Sequence, residues 1–182
     1  MMIDYISIIE KYYNPESELY KLLITHSRQV AEFAMQLADA TAVAIDKDFA
    51  YEAAMLHDIG IYKTHAPSIL CFGAEPYLRH GLIGKEILEA EGLPRHALVC
   101  ERHIGAGLTA QEIIAQKLPL PAVDMLPLSN EEKLVCYADN FFSKSHIAPA
   151  RTYAQVHDSM ARYGEGTLSR LEEMHKMFPA AE

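Results

Sequence analysis

Two observations predict an all-α fold for this 182-residue chain. Apolar residues recur at three- and four-residue intervals through most of the sequence, which is the spacing of helices with one buried face. No segment shows the clear apolar and polar alternation that is typical of a half-buried strand. Capping boxes at Thr109 and Ser129, each with a glutamate three residues later, mark two helix starts. We therefore expect one compact multi-helix domain over 1–182.

The first third of the chain predicts three helices. Apolar spacing places a short helix at the N-terminus, and Asn14 as N-cap with Pro15 at the first helical position starts a long second one. Asp46 or Asp48 caps the third, which ends in the tetrapeptide His57-Asp58-Ile59-Gly60 with Gly60 as C-cap. The predicted helices cover 3–13, 15–44 and about 46–58.

The pattern breaks down over residues 61–79, where Pro67, Gly73 and Pro76 interrupt isolated apolar residues. An irregular segment of this length predicts a lid or a binding loop. His80 then opens a helix that Gly92 ends. The remaining helices are predicted over about 80–91, 94–104, 109–117, 132–142, 149–162 and 167–177.

Composition restricts the partners that the chain can have. A net charge of −9, from 16 basic and 25 acidic residues, opposes non-specific binding to nucleic acid or to an anionic membrane. No apolar run is long enough to span a membrane, and no signal peptide is apparent. Three scattered cysteines without a C-x-x-C pair fit a reducing cytoplasm. A homodimer is left open.

Histidines and aspartates are the candidate functional residues. His57 and Asp58 offer an imidazole and a carboxylate at the end of one helix. Four further metal-ligand types, each in a predicted helix of its own, are His26, His80, His103 and Asp139. An aspartate among apolar residues, as at Asp139, favours a cation partner because an unpaired buried carboxylate is costly.

This ligand set favours two borderline divalent metals, such as iron, manganese, nickel, cobalt or zinc. Six ligands are too many for one catalytic ion, but they could hold two if Asp58 bridges them with one oxygen to each. Two such ions could share a hydroxide at neutral pH and stabilise attack at phosphorus. His57 and Asp58 are therefore predicted as catalytic residues as well as ligands. Lys63, which follows the His57–Gly60 turn, and Arg102, next to His103, are the predicted substrate-binding residues.

The order of His26, His57-Asp58, His80, His103 and Asp139 resembles the HD-domain superfamily of metal-dependent phosphohydrolases, and His57–Gly60 matches its HDIG spelling. The resemblance spans about 20–145 and implies an HD-domain bundle followed by C-terminal helices over about 149–177. The stretches LRHGLIGKEILEAEGLP, ERHIGAGLTAQEI and EEKLVCYADN look like a small family of stand-alone, mostly archaeal HD proteins. That family is similar to di-iron hydrolases of diadenosine tetraphosphate.

The likeness implies a division of the ligands between two ions and a small phosphorylated substrate such as a nucleotide. One metal would take His26, His57, Asp58 and Asp139, and the other His80, His103 and Asp58. The sequence departs from the diadenosine hydrolases at Asn140, where they have lysine, and it lacks the GYP signature of cyclic-di-GMP phosphodiesterases.

Three alternatives to a dinuclear phosphohydrolase stay open at this stage. Some superfamily members use the same ligands in a mixed-valence di-iron oxygenase. A non-catalytic regulatory module could keep the ligands for stability. A mononuclear nucleotidase would need only His26, His57, Asp58 and Asp139.

Overall fold

A computed structural model describes residues 3–145 and 149–179, and over these ranges the fold is helical. This confirms the predicted all-α class. Among the described residues, no helix has the length and apolar character needed to cross a membrane. The helices, named α1 to α9 in order, are Tyr5–Glu10, Glu18–Ala40, Lys47–Leu56, His80–Ala90, Pro94–Arg102, Ala110–Ala115, Asn130–Asp139, Tyr153–Ala161 and Glu165–Met177.

Two apolar clusters hold the helices together. The first joins α2, α3, α7 and the C-terminal helices through fully buried residues such as Ala34, Ala53 and Leu134. The second joins α1, α4 and α5 and the chain that follows α3, through Ile59 and Leu88 among others. The most extensive helix contacts are those of α2 with α3 and of α4 with α5.

The end of α3 lies where these two clusters meet. Met55 packs in the first cluster, whereas Leu56 and Ile59 pack in the second. His57 and Asp58 are therefore placed between two apolar bodies, and both are fully buried. Burial on this scale fixes their position and excludes bulk water from them.

Helix starts follow the local hydrogen bonds. The prediction that Asn14 and Pro15 open α2 is wrong, because Ser17 caps the helix by accepting a hydrogen bond from the backbone N–H of Tyr20. The Asn14 side chain instead accepts from Glu16 N in a turn before the helix. The capping boxes at Thr109 and Ser129 are confirmed.

The segment over 61–79 holds more order than its sequence predicts. Two antiparallel strands, His65–Ala66 and Cys71–Phe72, form a minimal hairpin with His65 opposite Phe72 and Ala66 opposite Cys71. Short 3-10 turns cover Ile61–Lys63, Pro67–Ile69 and Tyr77–Arg79. The last turn leads straight into α4, so the segment delivers His80 to the helix start.

Candidate metal centre

The six predicted ligands come from five different helices or their ends. His26 lies within α2, His57 and Asp58 follow the last residue of α3, and His80 is the first residue of α4. His103 directly follows α5, and Asp139 is the last residue of α7. The structure brings all six side chains together in one buried cluster, although they span more than a hundred residues of sequence.

Asp58 is at the middle of this cluster. Its Oδ2 lies 3.3 Å from Nε2 of His26 and 3.3 Å from Nε2 of His57. Its Oδ1 lies 3.4 Å from Nε2 of His80 and 3.5 Å from Nε2 of His103. Each carboxylate oxygen thus faces a different pair of histidines, which is the arrangement that a bridging ligand requires.

Further short distances complete the two halves. Asp139 Oδ1 lies 2.9 Å from His26 Nε2 and 3.4 Å from His57 Nε2, so it belongs with the first pair. In the second pair, the Nε2 atoms of His80 and His103 are 3.0 Å apart. Ligand atoms lie within 4.8 Å of one another in two overlapping groups, which are His26, His57 and Asp139, and His57, Asp58 and His103.

Backbone carbonyls orient three of the imidazole rings. The Nδ1 atoms of His57, His80 and His103 lie 2.6, 2.7 and 2.8 Å from the carbonyl oxygens of the residues three positions earlier, Ala54, Tyr77 and Cys100. A carbonyl can only accept, so each Nδ1 must carry the proton and donate it. Nε2 of each ring is then directed at the centre, as metal-ligating histidines require.

Several buried polar atoms of the cluster have no hydrogen-bond partner within the described ranges. They include both carboxylate oxygens of Asp58 and Nε2 of His57. The positive group beside Asp58 in the described structure is the ammonium of Lys144, whose Nζ lies 2.8 Å from Oδ2. Burying a carboxylate without such partners is costly unless a cation compensates it. These atoms therefore fit a site for divalent metal ions, with donors that suit borderline ions.

Histidines on the two sides of Asp58 differ in their pKa values. Burial alone would lower the pKa of His57, but the Asp58 and Asp139 carboxylates outweigh it and raise the pKa to about 10. For His80 burial dominates, and its pKa falls to about 3. Only a neutral imidazole ligates a metal, so an ion would have to displace a proton from His57 but not from His80.

A comparison with protein families decides the classification. The model of the HD domain matches residues 23–143, a range that contains all six clustered residues. The chain belongs to the HD-domain family. This confirms the resemblance seen in the sequence, and it places the chain in a superfamily of metal-dependent phosphohydrolases.

This chain matches only part of the length of its relatives. The uncharacterized protein MJ0778 of Methanocaldococcus jannaschii is 38% identical over 122 residues, which are 65% of this chain and 64% of the relative. A tRNA (cytidine(56)-2'-O)-methyltransferase of Picrophilus torridus is 38% identical over 69% of this chain and 33% of its own. The Thermoplasma volcanium protein of the same name is 33% identical over 85% of this chain and 41% of its own length. The chain thus spans less than two thirds of each.

Among solved structures, the HD domain is similar to that of the phosphodiesterase PgpH of L. monocytogenes. The two superimpose with a TM-score of 0.54 over 94% of each chain, at 16% sequence identity. At this level of identity the likeness shows the fold alone.

Lys144 is a residue at the HD centre that sequence reasoning did not single out. Its Nζ lies 2.8 Å from Asp58 Oδ2 and 3.7 Å from Asp139 Oδ1, and only 11% of its side chain is exposed. Burial alone would lower its pKa, but these two carboxylates outweigh burial and raise it well above its usual value. Lys144 lies five residues after Asp139 and beyond the end of α7, where no helical spacing predicts the direction of its side chain.

The two predicted substrate-binding residues lie elsewhere in the HD domain. Lys63 is exposed at the end of a 3-10 turn, with its Nζ 5.8 Å from the centre of the Tyr62 ring. Arg102 donates a hydrogen bond to Glu132 at 2.9 Å, so a carboxylate already occupies its guanidinium. Neither observation tests substrate binding, and the roles of Lys63 and Arg102 stay predictions.

The side chain of Asn140 forms hydrogen bonds that connect two segments of the backbone. Its side-chain amide donates to the carbonyl oxygens of Gly105 at 2.7 Å and Cys136 at 2.8 Å. It thereby ties the end of α7, which carries Asp139, to the loop that follows His103. Asparagine at this position holds the two halves of the centre in register.

Proposed function

We propose that this HD domain is a metal-dependent phosphohydrolase that cleaves a phosphoester or phosphoanhydride bond of a small nucleotide-like substrate. His26, His57, Asp58 and Asp139 would hold one divalent metal, and His80, His103 and Asp58 the other. The observation that carries the proposal is the carboxylate of Asp58, whose two oxygens face two separate histidine pairs. Iron, manganese, nickel and cobalt suit these donors, as does zinc.

Bound metals would supply an activated water and neutralise the charge that develops at phosphorus. The protein contributes buried, fixed ligand positions, because the four ligand histidines are at most 3% exposed and Asp58 is fully buried. Asp139 is the more accessible carboxylate, with 15% of its side chain exposed. Substrate would therefore approach from the side of Asp139. His57 and Asp58 are catalytic in the sense that they hold the reacting centre together.

A small anionic substrate would need local positive charge at the site. At a net charge of −9, attraction of a phosphate must come from a local positive site. The nucleotide is inferred from the resemblance to diadenosine tetraphosphate hydrolases. A cytoplasmic location agrees with Cys71, Cys100 and Cys136, which are all buried free thiols. Homodimer formation stays a prediction.

Methyl transfer to tRNA, the activity in the names of two relatives, is not part of this proposal. The chain matches only 33% and 41% of those proteins. Its net negative charge also opposes binding to a polyanion.

The first prediction is hydrolysis by the metal-loaded protein. Protein purified without chelator should release phosphate or a nucleotide from at least one member of a panel of nucleoside phosphates and dinucleoside polyphosphates. We expect activity with Mn²⁺, Fe²⁺, Ni²⁺ or Co²⁺ and its loss after treatment with a chelator. Failure with every metal and substrate would contradict the proposal. Oxygen consumption without phosphate release would instead favour the mixed-valence di-iron oxygenase, and metal binding without turnover the regulatory module.

The second prediction separates a dinuclear from a mononuclear centre. His103→Gln should reduce the metal content from two ions to one per chain. Of the two Asp58 oxygens, His103 faces Oδ1, which would bind the second ion. Metal analysis and calorimetric stoichiometry would measure this. His157→Gln is the matched control, since His157 is one-third exposed and contacts Glu172 far from the cluster in sequence. A stoichiometry of one in the natural protein, unchanged in His103→Gln, would indicate the mononuclear nucleotidase.

A further inference from the structure

A cavity of about 340 Å³ lies beside the metal centre. It adjoins both halves of the centre through two of its lining residues. Tyr77 stacks on the ring of His80, with ring centres 4.7 Å apart, and Lys144 reaches Asp58 and Asp139. Its polar lining consists of Ser68, Tyr77, Ser143, Lys144, Ser145 and Arg151. Two cations and four hydroxyl groups, with no carboxylate among the described lining residues, form a surface that suits an anion.

Lys144 and a metal ion would compete for the same oxygens. Its ammonium lies 2.8 Å from Asp58 Oδ2, and that oxygen also faces His26 and His57. A cation held by these residues would repel the ammonium and bind the same carboxylate oxygens. Lys144 would then have to leave the carboxylates. The cavity that it already lines is the space available to its long, flexible side chain.

Arg151 supplies a second cation with an unused donor. Its backbone N–H donates to the carbonyl oxygen of Phe141 at 2.9 Å, and its Nη2 donates to the carbonyl oxygen of Asn140. These bonds attach it to the end of α7, next to Asp139. Its Nε is buried and has no hydrogen-bond partner in the part of the chain that the structure describes. Arg151 lines the cavity, so its guanidinium adds a second positive charge beside that of Lys144.

We propose that this cavity is an anion subsite in which Lys144 and Arg151 bind a second phosphate group of the substrate. Lys144 exchanges partners: it pairs with Asp58 and Asp139 in the metal-free protein and with substrate phosphate once metal has bound. This inference rests on the proposed phosphohydrolase function and narrows its substrate class. A compound with two linked phosphates, such as a nucleoside diphosphate, triphosphate or dinucleoside polyphosphate, would fill both the metal centre and the subsite. A monophosphate would leave the subsite empty.

The third prediction tests this exchange by calorimetry, without turnover. Lys144→Met should bind Mn²⁺ more tightly than the natural protein, by roughly tenfold, because the competing ammonium is gone. The Mn²⁺-loaded natural protein should prefer methylenediphosphonate to methylphosphonate by roughly tenfold, and Lys144→Met should lose that preference. Metal analysis after each titration would establish that Mn²⁺ stays bound.

Lys21→Met is the matched control, because it removes the same charge from an exposed lysine that pairs with Glu18. Lys144→Arg keeps the cation and should keep the preference, which guards against a variant that simply folds poorly. An unchanged Mn²⁺ affinity in Lys144→Met would overturn the competition, and an unchanged phosphonate preference would overturn the subsite. If both changes occur but no phosphate ester is hydrolysed, the proposed activity fails while the subsite stands. Absence of Mn²⁺ binding by the natural protein would overturn both.

Discussion

Asp58→Asn is expected to abolish the proposed metal centre and to lower kcat/KM for hydrolysis by at least about a thousandfold. The amide has nearly the shape of the carboxylate, but it carries no charge and offers only one ligand oxygen. Both histidine pairs face Asp58, at 3.3 Å on one side and 3.4 to 3.5 Å on the other. Loss of this one carboxylate should therefore weaken the binding of both ions.

Metal content, calorimetric stoichiometry and steady-state kinetics would measure the effect. The matched control is Asp39→Asn, because Asp39 is 70% exposed on α2 and pairs with Lys47. It should keep full metal content and activity. If Asp58→Asn still binds two ions per chain, Asp58 does not bridge them and the dinuclear proposal fails.

The contrast between Asp58 and Lys144 shows what the sequence can reveal about the centre. Asp58 was predictable because it adjoins a histidine at the end of an apolar helix, and because other helices each offer one ligand type. Helical spacing determines which face of a helix carries a residue, so His26 and Asp139 could be placed on buried faces. Lys144 lies beyond a helix end, where spacing carries no information. Its approach to Asp58 depends on the path of the chain after α7.

Other features were missed because they depend on short-range hydrogen bonds that residue patterns do not specify. The hairpin of His65–Ala66 and Cys71–Phe72 has only two residues in each strand, too few for an alternation pattern. Its position is set by hydrogen bonds that Glu75 makes with Lys63 and His65 through the backbone. The start of α2 at Glu18 was missed because Asn14 and Ser17 are both good N-caps, and the structure uses Ser17.

The prediction that Gly60 is the C-cap of α3 is wrong. A C-cap glycine usually adopts a positive φ, but Gly60 has φ −85° and ψ −5°, values open to any residue. Glycine matters here because α4 passes directly over it. A Cβ at this position would lie 2.2 Å from the carbonyl oxygen of His80 and 2.5 Å from the backbone N of Gly84. The turn after Asp58 and the start of α4 are therefore in backbone contact.

Gly60→Ala should accordingly be among the most damaging single changes in the chain. Backbone atoms cannot move aside as side chains do, so α4 must shift away from the turn. We expect a loss of about 3 kcal/mol in the free energy of unfolding, seen as a fall of roughly 10 °C in Tm. His80 would move with α4, so the ion held by His80 and His103 should also bind more weakly.

Thermal unfolding and metal titration below the Tm would separate these two effects. Gly92→Ala is the informative control, because Gly92 has a φ of +76° but nothing within 4 Å of its added Cβ. It should cost about 1 kcal/mol through backbone strain alone and leave metal binding unchanged. If Gly60→Ala cost no more than Gly92→Ala, the close contact would not govern the position of α4. If it lowered the Tm but not the metal content, the stability of the fold and the position of His80 would be separate matters, and the glycine of the HDIG tetrapeptide would serve packing only.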